Sequence, residues 1–84
     1  MLTAGQIRAA RALLRWSAAE LATRSGLSER TLQRMEAADG VPAGLSKNLN
    51  LVQKTLEDAG VICIDESNEL GPGVRLTRQE KGQE

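Results

Sequence analysis

Residues 17–36 read SAAELATRSGLSERTLQRME, two short helical patterns with one glycine between them. Ser17 stands where an N-cap belongs, and Glu20, three positions on, is spaced to complete a capping box. Leu21 and Ala22 form the inward side of the first pattern, and Arg24 faces away. Gly26 is the expected stop, because a residue without a Cβ enters the left-handed region at no steric cost. Leu27 fills the corner. Ser28 then caps a second helix, whose Leu32 and Met35 recur three apart on the buried side. Glu29, Arg30, Gln33 and Arg34 remain on the outer side. Two helices at a tight glycine turn, the second presenting long polar side chains, make a helix-turn-helix.

Working outward, the upstream segment predicts one more helix. Thr3 caps it, with Gln6 at the capping-box partner position. Ile7, Ala10, Leu13 and Leu14 recur at three- and four-residue steps and form its core face. Arg8 and Arg15 face solvent. Trp16 is expected to be the largest core anchor. Downstream, residues 37–45 (AADGVPAGL) form a loop punctuated by Gly40, Pro42 and Gly44. Ser46 caps a helix running to about Ala59, with Leu49, Val52 and Leu56 closing the core and Gly60 stopping it.

The last third changes character. Val61-Ile62-Cys63-Ile64 is β-branched and follows a helix stop, so it reads as a strand. Residues 65–73 are a polar, glycine-rich connection. Val74-Arg75-Leu76 is a second strand, with Pro72 outside its ladder. The fold class is therefore mainly α: four helices with a helix-turn-helix, then a C-terminal β hairpin. Two strands alone are marginal in water. Pairing with the same strands of a second subunit would give a dimer sheet, and Val61, Ile62, Cys63, Ile64, Val74 and Leu76 are its candidate interface. The alternative is a hairpin folded back onto its own helices. Cys63 reads as a small buried apolar residue. The expected organisation is a helical domain at 1–60, a dimerisation hairpin at 61–76 and a polar tail at 77–84.

The bulk numbers narrow the classes. A chain of 84 residues with one Trp and no Phe or Tyr must build a small aliphatic core. A second copy is the natural supplement. The lone Cys63 excludes an internal disulfide, and no long apolar run or signal-peptide core is present, so a cytoplasmic location is expected, with no membrane contact. Without histidine and with a single cysteine, no histidine-based acid, base or zinc site can form. The chain is not expected to be an enzyme, and no catalytic residue, metal or cofactor is assigned. The net charge is zero, but it is unevenly spread. Residues 1–54 carry eight basic and four acidic side chains, and residues 55–84 carry three basic and seven acidic. The positive field thus coincides with the helix-turn-helix.

The run ELATRSGLSERTLQRME resembles the Cro/repressor (xenobiotic-response-element type) helix-turn-helix family, whose domains are lambda-repressor-like. The likeness lies in Glu20, Leu21 and Ala22, in the turn Gly26-Leu27-Ser28, and in Leu32 and Glu36. It extends over about residues 6–56. It implies that Arg11 pairs with Glu36 to fix the first helix against the third. It also implies that Glu29, Arg30 and Arg34 reach base edges. Arg30 or Arg34 has the fork for guanine O6 and N7. Glu29 either accepts from cytosine N4 or complements the positive helix N-terminus. Thr31 and Gln33 face the groove walls, and Ser46, Lys47 and Asn48 are backbone-phosphate candidates beside the plainer reading of a solvated helix start. Two residues depart from the family pattern. Arg15 replaces a frequent glycine, so its turn must use a less favourable residue or another geometry. Ala18 replaces a frequent glutamine, leaving Ser17 and main-chain N–H groups to meet a phosphate.

The implied function is that of a double-stranded-DNA-binding transcriptional regulator, most often a repressor. Its homodimer would read an inverted repeat through two recognition helices about 34 Å apart. The alternatives are an antitoxin-type autoregulator with a protein partner and an interaction module that has lost DNA binding.

Overall fold

The computed structural model describes residues 2–42, 44 and 46–78. Four helices come first: α1 (Ala4–Leu14), α2 (Ala18–Ser25), α3 (Glu29–Glu36) and α4 (Ser46–Asp58). A hairpin of β1 (Val61–Ile64) and β2 (Gly73–Leu76) follows. The fold is thus mainly α, a helix-turn-helix domain with a C-terminal antiparallel hairpin. The capping box at Thr3 and Gln6 closes in both directions, which fixes where α1 starts. The main-chain N–H of Ala4 is taken by the Gly40 carbonyl at 2.9 Å, tying the loop after α3 to the same end. Ser17 accepts the Glu20 N–H at 3.0 Å, but the return half of that capping box is not made. The Glu20 carboxylate instead accepts from Arg24 Nε at 2.5 Å, one helical turn on.

The turns after α1 and α2 use the same device on different residues. Leu27 N–H reaches back to Ala22 C=O at 2.9 Å across Gly26, which has φ of 75°. Trp16 N–H reaches Arg11 C=O at 3.0 Å across Arg15, which has φ of 60°. Both satisfy the last helical carbonyls, but a side chain in the left-handed region costs about 1 kcal/mol. The departure at Arg15 therefore keeps the turn geometry and accepts the strain.

Ile7, Ala10, Leu21, Ala22, Leu32, Met35, Leu49, Val52, Leu56 and Val61 form the core. Its purely aliphatic character follows from the composition. Two expectations fail at its edges. Trp16 is only half-buried, with Arg24 above its ring at 4.4 Å from the centroid, so the indole covers the core from outside. Leu13 is 42% exposed, because the inward stripe of α1 runs through Ile7, Ala10 and the half-buried Leu14, which packs on the core, and leaves Leu13 to one side. α4 includes Ser46 as its first helical residue rather than its cap, and it ends at Asp58, one residue short of the expected Ala59. Gly60, at φ of 102°, then turns the chain into β1.

The hairpin lies against its own molecule. Val61 pairs with Leu76, Ile62 with Arg75, Cys63 with Val74 and Ile64 with Gly73. Val61 is buried and Cys63 and Val74 are half-buried, packed on the helices. Ile62 and Ile64 stand on the opposite face, 43% and 41% exposed. Gln6 fastens the loop end: its side-chain Nε2 donates to Ile64 C=O at 3.0 Å and to Gly73 C=O at 2.9 Å. Most of the polar tail expected at 77–84 falls outside the described residues.

Candidate nucleic-acid interface

The third helix is built to present one side and bury the other. Leu32 is fully buried and Met35 is 7% exposed. Hiding a leucine from water contributes about 2 kcal/mol, which commits this face to the core. Glu29, Arg30, Gln33 and Arg34 fall on the exposed side as the period of 3.6 requires. Neither Arg30 nor Arg34 makes an ion pair among the described residues, so both guanidinium groups are offered to solvent. Glu29 Oε2 accepts from Gln33 Nε2 at 3.3 Å along the helix. Its charge also sits in the first turn, where the helix N-terminus favours it.

Ser28 closes that N-terminus by accepting the Thr31 N–H at 3.1 Å. Its hydroxyl then donates to Thr31 Oγ1 at 2.9 Å. Thr31 is half-buried and lines a cleft of about 290 Å3 together with Arg34, Met35, Pro42, Asn48 and Leu49. Asn48 is half-buried in this cleft, while Ser46 and Lys47 are exposed at the start of α4. Ser17 is exposed at the start of α2. The structure therefore brings Thr31, Arg34 and Asn48 to one concavity, with Arg30 and Gln33 outside it on the same helix.

The opposite end of α3 is held from α1. Arg11 Nε meets Glu36 Oε2 at 2.7 Å and Arg11 Nη2 meets Glu36 Oε1 at 2.9 Å, a two-pronged ion pair. Glu36 is only 9% exposed. The Glu36 hydrogen bond raises the Arg11 pKa against the opposing effect of burial. The third arm of Arg11, Nη1, donates to Trp16 C=O at 3.0 Å, so one side chain fixes α1, the strained turn and α3 together. Arg8 donates to the Glu36 main-chain carbonyl, one of the acceptors a helix C-terminus leaves unpaired.

Sequence reasoning did not find the Arg8 contact, the Arg24–Trp16 stack or the grip of Gln6 on the hairpin. Gln6 carried a signal: a polar residue beside Ile7 on the inward side of α1, 3% exposed, demands partners beyond its own cap. The hairpin candidates divide by exposure. Val61 belongs to the core, Cys63 and Val74 are half-buried under the sheet, and Ile62, Ile64 and Leu76 are exposed. Desolvation, then the nearby Glu57 and Asp65, pushes the Cys63 thiol above its ordinary pKa, which suits a packed thiol and not a nucleophile.

A short capped helix pinned at its far end, with paired arginines turned outward from a glycine corner, defines a helix-turn-helix DNA-binding domain. Residues 7–45 match the family model described as Helix-turn-helix. Over these residues the match supports a helix-turn-helix of the Cro/repressor type, and with it DNA binding and transcription regulation in general. No curated protein matches the chain. Among the described residues, no helix is long and apolar enough to cross a membrane.

Proposed function

We propose that this protein is a homodimeric repressor that reads an inverted-repeat operator from the cytoplasm. In this reading 1–60 binds DNA and 61–76 joins the two copies. Arg30 and Arg34 read guanine edges in the major groove, and Glu29 contributes at the helix N-terminus. Ser17, Thr31, Gln33, Ser46, Lys47 and Asn48 hold phosphates, which sets the register of the helix on the duplex. The observation that carries the proposal is the pair of solvent-facing guanidinium groups on a helix fixed at both ends. Its N-terminus is capped by Ser28, and its C-terminus is locked through Glu36. A base-reading helix must be held this firmly, because bidentate recognition depends on orientation.

The test is selection of bound duplexes from a random-sequence pool, followed by binding measurements over a range of salt. A two-fold symmetric site and a steep fall of affinity with salt are expected. Arg34→Ala is expected to relax preference at one position in each half-site and to cost about 1–3 kcal/mol there. Equal weakening on every sequence would remove Arg34 from base reading.

A further inference from the structure

The hairpin has edges that its own molecule leaves open. Just beyond the strands, Thr77 N–H bonds to Gly60 C=O at 2.8 Å. Antiparallel ladders alternate hydrogen-bonded and non-hydrogen-bonded pairs. With the observed register, Ile62/Arg75 and Ile64/Gly73 are then the bonded pairs. Val61 and Cys63 therefore aim their main-chain groups off the outer edge of β1, and Val74 and Leu76 aim theirs off the outer edge of β2. No main-chain partner for either edge is present among the described residues.

The two edges differ. β1 packs against α4 and β2 against α1, and the difference lies in exposure: on β1, Val61 is 2% exposed and Cys63 half-buried. On β2, Leu76 is 37% exposed, and Arg75, Thr77 and Arg78 are also exposed. A strand edge with unpaired donors and acceptors is a template for another strand.

Building on the homodimer reading above, we infer that the outer edge of β2 is the subunit seam. Two copies of β2 pair antiparallel about a two-fold axis at Leu76, giving a four-stranded sheet in the order β1-β2-β2-β1. The neighbouring registers are disfavoured by the residues themselves. An axis at Arg75 sets that arginine opposite its own copy in a non-bonded pair, where side chains lie closest and like charges repel. An axis at Val74 places Leu76 opposite Pro72, which has no N–H to give. An axis at Leu76 makes the two leucines exchange both main-chain bonds, with Arg75 opposite Thr77 and Val74 opposite Arg78. It also closes the apolar surface, because Leu76 shares the inner face with Val61. Charge agrees with this occupant. Antiparallel addition carries Arg78 of one copy toward the start of β2 in the other, which follows the acidic residues Asp65, Glu66 and Glu69.

Two variants of the full chain test the seam. Leu76→Pro deletes an N–H that points away from β1, so the hairpin keeps its own ladder while the seam loses its central bonds. Sedimentation is expected to show a dimer for the parent and a monomer for Leu76→Pro, with helical circular dichroism retained. Cys63→Ser combined with Leu76→Cys is expected to form a covalent dimer under mild oxidation. The paired Cα atoms would lie about 5.5 Å apart, inside the disulfide range. Cys63→Ser combined with Arg75→Cys is expected to cross-link much more slowly. If Leu76→Pro unfolds, the cross-link decides. A monomeric parent overturns the homodimer reading itself. A dimeric parent with no Leu76→Cys cross-link overturns the β2 seam alone.

Discussion

The recognition helix and the hairpin are both held by α1, but they are held differently. α3 receives an ion pair with two short contacts from Arg11 and a further donor from Arg8. The hairpin receives one glutamine, whose amide serves two carbonyls that already have ladder partners. The exposed surfaces differ as well. α3 shows charge, which water solvates at little cost. The hairpin shows Ile62, Ile64 and Leu76, which water does not. A surface that is polar and rigid is complete in one copy until DNA arrives. A surface that is apolar, edge-open and lightly fastened is, in the proposed reading, finished by another chain. Under the proposed function, the contrast is that between a reading element and an assembly element within 84 residues.

Removing the stronger fastening gives the largest effect. Glu36→Ala leaves the Arg11 guanidinium facing a mostly buried site with only Trp16 C=O to bond. The loss is expected to be about 3 kcal/mol. For a domain of this size that is a fall in Tm of well over 10 °C. Thermal unfolding by circular dichroism measures it. A change below about 1 kcal/mol, the range of an exposed pair, would mean that the recognition helix is held by its apolar face alone. The contrast with the hairpin would then disappear.

The weaker fastening is tested by Gln6→Ala. It removes two N–H bonds from the loop end of the hairpin and breaks the capping box of α1. The expected cost is about 1–2 kcal/mol. Its location matters more than its size. Amide exchange is expected to speed up at Ile62 and Thr77, while Leu32 and Met35 in α3 change only with global stability. Uniform acceleration across both regions would show one cooperative unit with no weak half.

How much of this was legible depends on the range over which each residue acts. Ser17, Gly26 and Ser28 work within three or four positions of themselves, so caps and turn were readable along the chain. Leu32, Met35, Leu49, Val52 and Leu56 follow a period that any helix must express. Trp16 was not readable: its size suggested the core, but the Arg24 guanidinium over its ring leaves it at the rim. Leu13 fits the apolar spacing of α1 and is still 42% exposed, one position to the side of the Ile7–Ala10–Leu14 stripe that packs on the core. Gln6 was legible as a cap and not as a clamp, since its second role depends on residues 58 and 67 positions away. The outward charge of α3 was plain in the pattern, whereas the concavity joining Thr31, Arg34 and Asn48 arises only once α4 packs.

The smallest expected effect has the opposite sign and refines the comparison from within the better-held half. Arg15 occupies the left-handed region at φ of 60° in a turn that Gly26 makes with no side chain to strain. Arg15→Gly should therefore relieve the turn after α1. Part of the gain is returned because glycine frees the unfolded chain. The net stabilisation is expected to be about 0.5–1 kcal/mol, a rise in Tm of a few degrees. The Arg11 bond to Trp16 C=O spans this turn, so the α1–α3 staple holds the strained residue in place. The prediction sharpens when the two variants are combined. If the ion pair is what holds Arg15 in the left-handed region, Arg15→Gly should restore less stability in the Glu36→Ala background, where Arg15 is free to relax, than in the parent. Equal gains in both backgrounds would show that the turn and the staple act independently.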